Sequence, residues 1–128
     1  MLKYKRHASI FATTCYCLIV PHAYANQIPQ YSLEKEVSTS DTVVLGKIES
    51  IVEGSGQSDK GFRYAIVFVG TALKGHPDQR IEVVSRGNAP EEDAGPLRLG
   101  GGYLLFLHRS DDGRYHAVNG PNSVYEVP

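Results

Sequence analysis

Short strand-like runs separated by turn residues are the feature that most restricts how this chain can fold. Each run is rich in β-branched and aromatic side chains, and glycine, proline, asparagine or aspartate stands between neighbouring runs. Such a pattern predicts β-strands joined by turns. The predicted strands are Thr42–Val52, Phe62–Leu73, Arg80–Arg86, Tyr103–Leu107, Arg114–Val118 and Ser123–Val127.

Two of these strands carry details that predict a closed barrel. Gly46 lies inside the first strand, where a glycine often marks a bulge or a bend that lets a sheet curl. Tyr103–Leu107 is apolar throughout, as expected of a buried strand. Five or six antiparallel strands with such a bend favour a mainly β fold, a small OB-fold-like barrel. Residues 87–100 are predicted to be mainly a loop, with at most one helical turn that begins at Pro90.

One short helix is predicted ahead of the strands. Ser32 stands before residues 33–37, and acidic residues follow it in the first turn. Serine is a favoured N-cap, and acidic side chains are stabilising near a helix N-terminus. Leu33 and Val37 are one turn apart, so we expect them to pack this helix on the barrel.

Residues 1–25 have the order of a secretory signal peptide. Basic residues come first, the apolar run Ala8–Val20 follows, and small residues occupy the −3 and −1 positions at Ala23 and Ala25. We therefore expect cleavage after Ala25, which makes Asn26 the first residue of the mature chain. The alternative is a membrane anchor, but a run of thirteen residues is shorter than the roughly 20 that cross a bilayer.

Removal of this leader changes the chemistry of what remains. Residues 26–128 suffice for one domain, predicted to be secreted or periplasmic, with no membrane span. Cys15 and Cys17 lie in the leader, so the mature domain would contain no cysteine and no disulfide. The leader holds three basic residues and no acidic one, so its loss shifts the net charge from −1 to −4. That charge, with basic residues scattered singly, disfavours nucleic acid as a partner.

The order of four segments resembles the netrin/TIMP-like family of small secreted OB-fold proteins. The segments are 41–48, 72–75, 102–107, and 113–116 leading to Gly120 and 124–127. The resemblance implies an OB-fold and a role in binding. In tissue inhibitors of metalloproteinases the mature chain begins with a cysteine that engages the protease zinc. Asn26 stands at that place here, so the resemblance does not imply the inhibitory mechanism.

The preferred functional interpretation is a non-enzymatic binding module of the cell envelope or secreted space. Loops are where a rigid scaffold usually carries binding residues, and the loops 54–61 and 87–100 are the longest predicted here. We expect them to contact a protein partner at the barrel rim. Tyr64, Tyr115 and Tyr125 are further candidates for that surface, if the barrel exposes an apolar patch. No cofactor is predicted.

The alternative interpretation is a metal-dependent hydrolase or metal-binding protein that uses His108 and His116. These histidines flank the turn 111–113. A three-residue loop with Gly113 in a bulge would place the imidazoles opposite each other, whereas a two-residue loop would shift the register by one and separate them. A metal site would also need a third ligand. No Gly-x-Ser-x-Gly motif is present, and we assign no catalytic residue.

Overall fold

The computed structural model describes residues 28–128, and the predicted leader with its cleavage site lies outside them. About half of the described residues lie in β-strands and few in helices, so the fold is mainly β, as predicted. Helix α1 spans Leu33–Thr39, and a single 3-10 turn spans Pro90–Glu92. The strands are β1 (Thr42–Glu53), β2 (Arg63–Lys74), β3 (Arg80–Arg86), β4 (Gly102–Arg109), β5 (Tyr115–Pro121) and β6 (Val124–Val127).

Five strands close a barrel, which confirms the predicted fold class. The strands pair in the order β1, β2, β3, β5, β4, and β4 pairs again with β1 to complete the circle. β6 pairs with the first half of β4, on the same edge that β5 pairs with further along the strand. This arrangement is consistent with a small OB-fold-like barrel. The prediction had only antiparallel pairs, but β3 and β5 are parallel at Val83 and Tyr115, because the chain between them passes through β4 on the far side of β5.

Gly46 has the role that its place in the first strand predicts. The pairing of β1 with β2 shifts register between Leu45 and Gly46. A Cβ atom at Gly46 would overlap Cγ1 of Val67 and lie 3.0 Å from the carbonyl oxygen of Phe68. Glycine therefore allows β1 to approach β2 closely where the sheet bends.

The barrel interior is filled by alternating side chains of the strands. Val44 and Ile48 of β1 are almost fully buried with Val67 of β2 and Leu105 and Leu107 of β4. β4 contributes most because it pairs with β1 on one edge and with β5 and β6 on the other. The apolar run predicted to be a buried strand is therefore the central strand of the fold.

Helix α1 begins as predicted but buries a different face. The hydroxyl of Ser32 accepts a hydrogen bond from the backbone N–H of Lys35, which confirms the N-cap. The predicted packing through Leu33 and Val37 is wrong, since these side chains are 63% and 42% exposed. Glu36 is fully buried instead. In the described range 28–128, no helix has the length and apolar character needed to cross a membrane.

Candidate functional site

The turn between β4 and β5 adopts the longer of the two predicted loops. The backbone N–H of Ser110 donates to the carbonyl oxygen of Arg114 at 2.9 Å, and Gly113 has a φ of +89°. Residues 111–113 therefore form a three-residue loop with glycine in the left-handed region, where it has no steric penalty. In the resulting register His108 pairs directly with His116.

The two imidazoles stack across the strands. Their ring centroids are 5.4 Å apart and their planes differ by 17°. The side chains of His108 and His116 are 35% and 22% exposed, so both rings are partly shielded from water. We call these two residues the His pair.

Glu92, on the 3-10 turn, is the third member of this cluster, and sequence reasoning missed it. Its Oε1 lies 3.6 Å from Nε2 of His108 and 3.8 Å from Nδ1 of His116. Nδ1 of His116 is buried and has no hydrogen-bond partner. Within residues 28–128, no three His, Cys, Asp or Glu side chains are already arranged around one metal position. The acidic run 91–93 was the only signal, and nothing in the sequence connects it to the hairpin.

Asp93 completes the charged surroundings of His116. Burial raises the pKa of the Asp93 carboxyl, while a hydrogen bond from the backbone of Gly87 and the nearby His116 lower it in part. The neighbouring carboxylates Glu91 and Glu92 add to the upward shift. Asp93 therefore lies where its negative charge is poorly solvated.

A second feature of the loop 87–100 is an apolar groove at one end of the barrel. Ile28, Pro90, Pro96 and Pro121 line a cavity of about 370 Å³, which we call the proline groove. Ile28 is linked to the rest of the domain by Asn122, whose side-chain amide donates to the carbonyl oxygen of Ile28 at 3.0 Å. Proline fixes the backbone φ, so the three prolines of this lining have little freedom to move.

Two arginines stand at the edge of the proline groove. Arg63 and Arg86 line it, and both face the carboxylate of Glu53, at 3.0 Å and 3.9 Å. Arg86 also donates from Nε to the carbonyl oxygen of Gly61 at 3.0 Å, which joins the loop 54–61 to this end of the barrel. Asp93 also lines the groove, so its edge carries charged groups of both signs.

The three predicted surface tyrosines differ in location. Tyr64 and Tyr115 are only 3% and 6% exposed and belong to the interior, whereas Tyr125 is 39% exposed. The hydroxyl of Tyr64 donates to Oδ2 of Asp59 at 3.0 Å, and Arg114 covers its ring. None of the three lines the proline groove.

No family model, no curated protein and no solved structure matches the chain.

Proposed function

We propose that this chain is an exported binding module that holds a protein partner at the proline groove. The groove is the observation that carries the proposal, because it joins apolar walls to charged groups at its edge. Pockets that bind specifically combine mostly apolar walls with a few polar groups that fix orientation. The resemblance to netrin/TIMP-like domains leads to the same expectation of a binding role.

The walls and the charges together define what a partner should offer. Ile28 and three prolines can cover one or two apolar side chains, and the 370 Å³ cavity has room for them. Arg63 and Arg86 can donate hydrogen bonds to carbonyl or carboxylate oxygens of the partner, and Asp93 can accept one from an N–H group. The proposed ligand is therefore an exposed segment of another protein that carries an apolar residue beside groups able to form these hydrogen bonds.

A photo-cross-linking amino acid at two proline positions tests this proposal. Pro96 lies in the proline groove, whereas Pro77 lies in the turn between β2 and β3. We expect the probe at Pro96 to capture a single protein, with one molecule of it per chain. The probe at Pro77 should not capture it. The partner is then purified and its affinity measured against Pro96→Glu and Pro77→Glu. Pro96→Glu should weaken binding at least about tenfold, since it places a carboxylate among apolar walls.

The matched Pro77→Glu variant changes the charge and the proline content as Pro96→Glu does. It should bind the partner like the wild type. Equal cross-linking at both positions would overturn the proposal, and so would an affinity that Pro96→Glu leaves unchanged. A small molecule retained in the groove in place of a protein would also overturn it.

The export part of the proposal rests on the leader and has its own test. We expect the chain recovered from outside the cytoplasm to begin at Asn26, because Ala23 and Ala25 fit the small-residue positions of a cleavage site. Ala25→Lys should block that cleavage. Recovery of an unprocessed wild-type chain from the cytoplasm would contradict export.

A further inference from the structure

The hairpin β4–β5 and the 3-10 turn bring together three side chains that bind transition metals well. His108 and His116 come from the two paired strands, and Glu92 comes from the turn that packs against β5. We propose that these three residues bind one divalent transition metal ion, with Zn²⁺ as the preferred ion. The proposal concerns a different cluster from the proline groove and does not depend on the partner.

The distances support three ligands to one ion. Bonds from zinc to imidazole nitrogen or carboxylate oxygen are about 2.0–2.2 Å, so tetrahedral ligand atoms lie about 3.3–3.5 Å apart. The observed distances from Oε1 of Glu92 are 3.6 Å to His108 and 3.8 Å to His116. Each nitrogen is therefore within about half an ångström of the separation from this oxygen that two zinc ligands have.

The unpartnered nitrogen of His116 is a second, independent observation. Nδ1 is buried without a hydrogen-bond partner, and a buried polar atom in that state is destabilising. A metal ion would satisfy this nitrogen and balance Glu92 and Asp93, the two acidic residues beside it. The cluster thus offers both a free ligand atom and negative charge.

Binding requires one rearrangement. Imidazole binds a metal in the plane of its ring, and the nearly parallel rings, 17° apart, do not yet direct their nitrogens to one point. His108 is the more exposed of the two rings, so its rotation about χ2 meets less resistance. We expect zinc to replace the stacked arrangement with one in which the rings are inclined.

The ligand types decide which ion is preferred. Two imidazoles and one carboxylate suit zinc and its neighbours Co²⁺, Ni²⁺ and Cu²⁺. Ca²⁺ and Mg²⁺ need six or more oxygen ligands or several retained waters, and two nitrogens do not replace them. Three protein ligands also leave the fourth position of a zinc ion for water.

The test is a titration of the full chain with Zn²⁺ alone. Cys15 and Cys17 are first replaced by serine, because thiols of the leader would bind zinc themselves. Calorimetry should give one zinc ion per chain, and the imidazole NMR signals of His108 and His116 should shift while those of His76 do not. Mg²⁺ in excess should leave all of these signals in place.

Matched variants separate a built site from scattered surface binding. His108→Ala and His116→Ala should each weaken zinc binding more than about 100-fold, beyond the 10–100-fold typical of groups that only orient a ligand. Glu92→Gln should weaken it by a similar factor, because a neutral amide does not replace a carboxylate as a zinc ligand. Glu91→Gln and His76→Ala, which alter exposed side chains of the same types, should have no effect.

Two results would overturn the proposal. One is an absence of stoichiometric zinc binding by a folded chain, and the other is zinc binding that survives His116→Ala or His108→Ala. His116→Gln, which keeps a side chain of similar length, serves where His116→Ala impairs folding, and the circular dichroism of each variant shows whether the barrel is intact.

Discussion

The hydroxyl of Tyr125 donates a 2.8 Å hydrogen bond to Oε2 of Glu36, and this contact joins the last strand to the first helix. Glu36 is fully buried, and its Oε1 has no hydrogen-bond partner. Tyr125 therefore provides the hydrogen bond that the other carboxyl oxygen, Oε2, accepts. This contact lies on the face of α1 that carries Glu36, the face that the helix turns towards the barrel.

Loss of this hydrogen bond should destabilise the fold. Tyr125→Phe leaves a buried carboxyl without its donor, and we expect a loss of about 1–3 kcal/mol in the free energy of unfolding. A double-mutant cycle with Glu36→Met, which removes the acceptor, followed by urea denaturation, measures the coupling directly. Strictly additive effects of the two substitutions would show that the hydrogen bond contributes nothing.

Alkaline pH should destabilise the protein through two tyrosines. Burial raises the pKa of Tyr125 and of Tyr64 above the ordinary value of 10.0, and hydrogen bonds to Glu36 and Asp59 add to the shift. A raised pKa means that the fold disfavours the phenolate, so this stability is complete below pH 10.0 and is lost as the pH rises through the raised pKa. Urea denaturation across this range should show a smaller loss for Tyr125→Phe than for the wild type.

Asp93 and Asp112 should respond to pH in opposite directions. Burial raises the pKa of Asp93, whereas a hydrogen bond from the hydroxyl of Ser110 lowers that of Asp112. As the pH rises from 3.8 through the raised pKa of Asp93, its carboxyl group loses a proton and the folded state loses stability. Asp112 adds stability above 3.8, and this is lost as the pH falls through its lowered pKa.

Comparison of asparagine variants at these two positions measures that difference. Relative to the wild type, Asp93→Asn should be more favourable at neutral than at acidic pH, and Asp112→Asn should be less favourable at neutral pH. Thermal denaturation at several pH values gives both trends. The same trend in both variants would contradict the assignment of the two shifts.

Gly46 and Gly70 form a matched pair of strand glycines. Gly46→Ala would force a methyl group against Val67 and the backbone of Phe68, and we expect a loss of about 1–3 kcal/mol. At Gly70 a Cβ atom would lie 3.6 Å from the carbonyl oxygen of Leu45, an ordinary contact. Gly70→Ala should therefore change stability by no more than about 1 kcal/mol in either direction. Equal costs in urea denaturation would refute the close approach of β1 and β2 at Gly46.

The hairpin glycine should tolerate substitution poorly. Gly113 has a φ of +89°, a conformation that costs an L-residue about 1–2 kcal/mol. Gly113→Ala should lose that amount in thermal or urea denaturation, and Gly113→Asn should lose less, because asparagine tolerates left-handed backbone. Nuclear Overhauser effects between His108 and His116 report on the register. An Ala variant as stable as the wild type would contradict this loop conformation.

Local sequence signals predicted most of the secondary structure. The first strand was expected at Thr42–Val52 and extends to Glu53, because alternating apolar residues and flanking turn residues define it without help from the rest of the chain. The local sequence of the turn 111–113 fits two loop lengths that differ by one residue. Gly113 is compatible with the bulged form of this turn, but only the pairing of the complete strands decided the register.

The failure at α1 has a physical reason. Leu33 and Val37 form an apolar stripe, and hydrophobic spacing alone predicts that such a stripe faces the core. The prediction could not include Tyr125, 89 residues away, which gives the carboxyl of Glu36 a donor inside the fold. A buried acidic group is tolerable only when its partners are present, and long-range partners cannot be read from helical spacing.

The sequence by itself determined that this is a β-rich domain with a capped helix, a bend at Gly46 and a tight hairpin, since each depends on residues close together in the chain. The tertiary structure alone decided that Glu92 approaches the His pair and that Ile28 meets three prolines in one groove. Both arrangements are formed by irregular segments that fold back on the barrel. Their paths depend on where the closed sheet places its ends, which no periodicity in the sequence records.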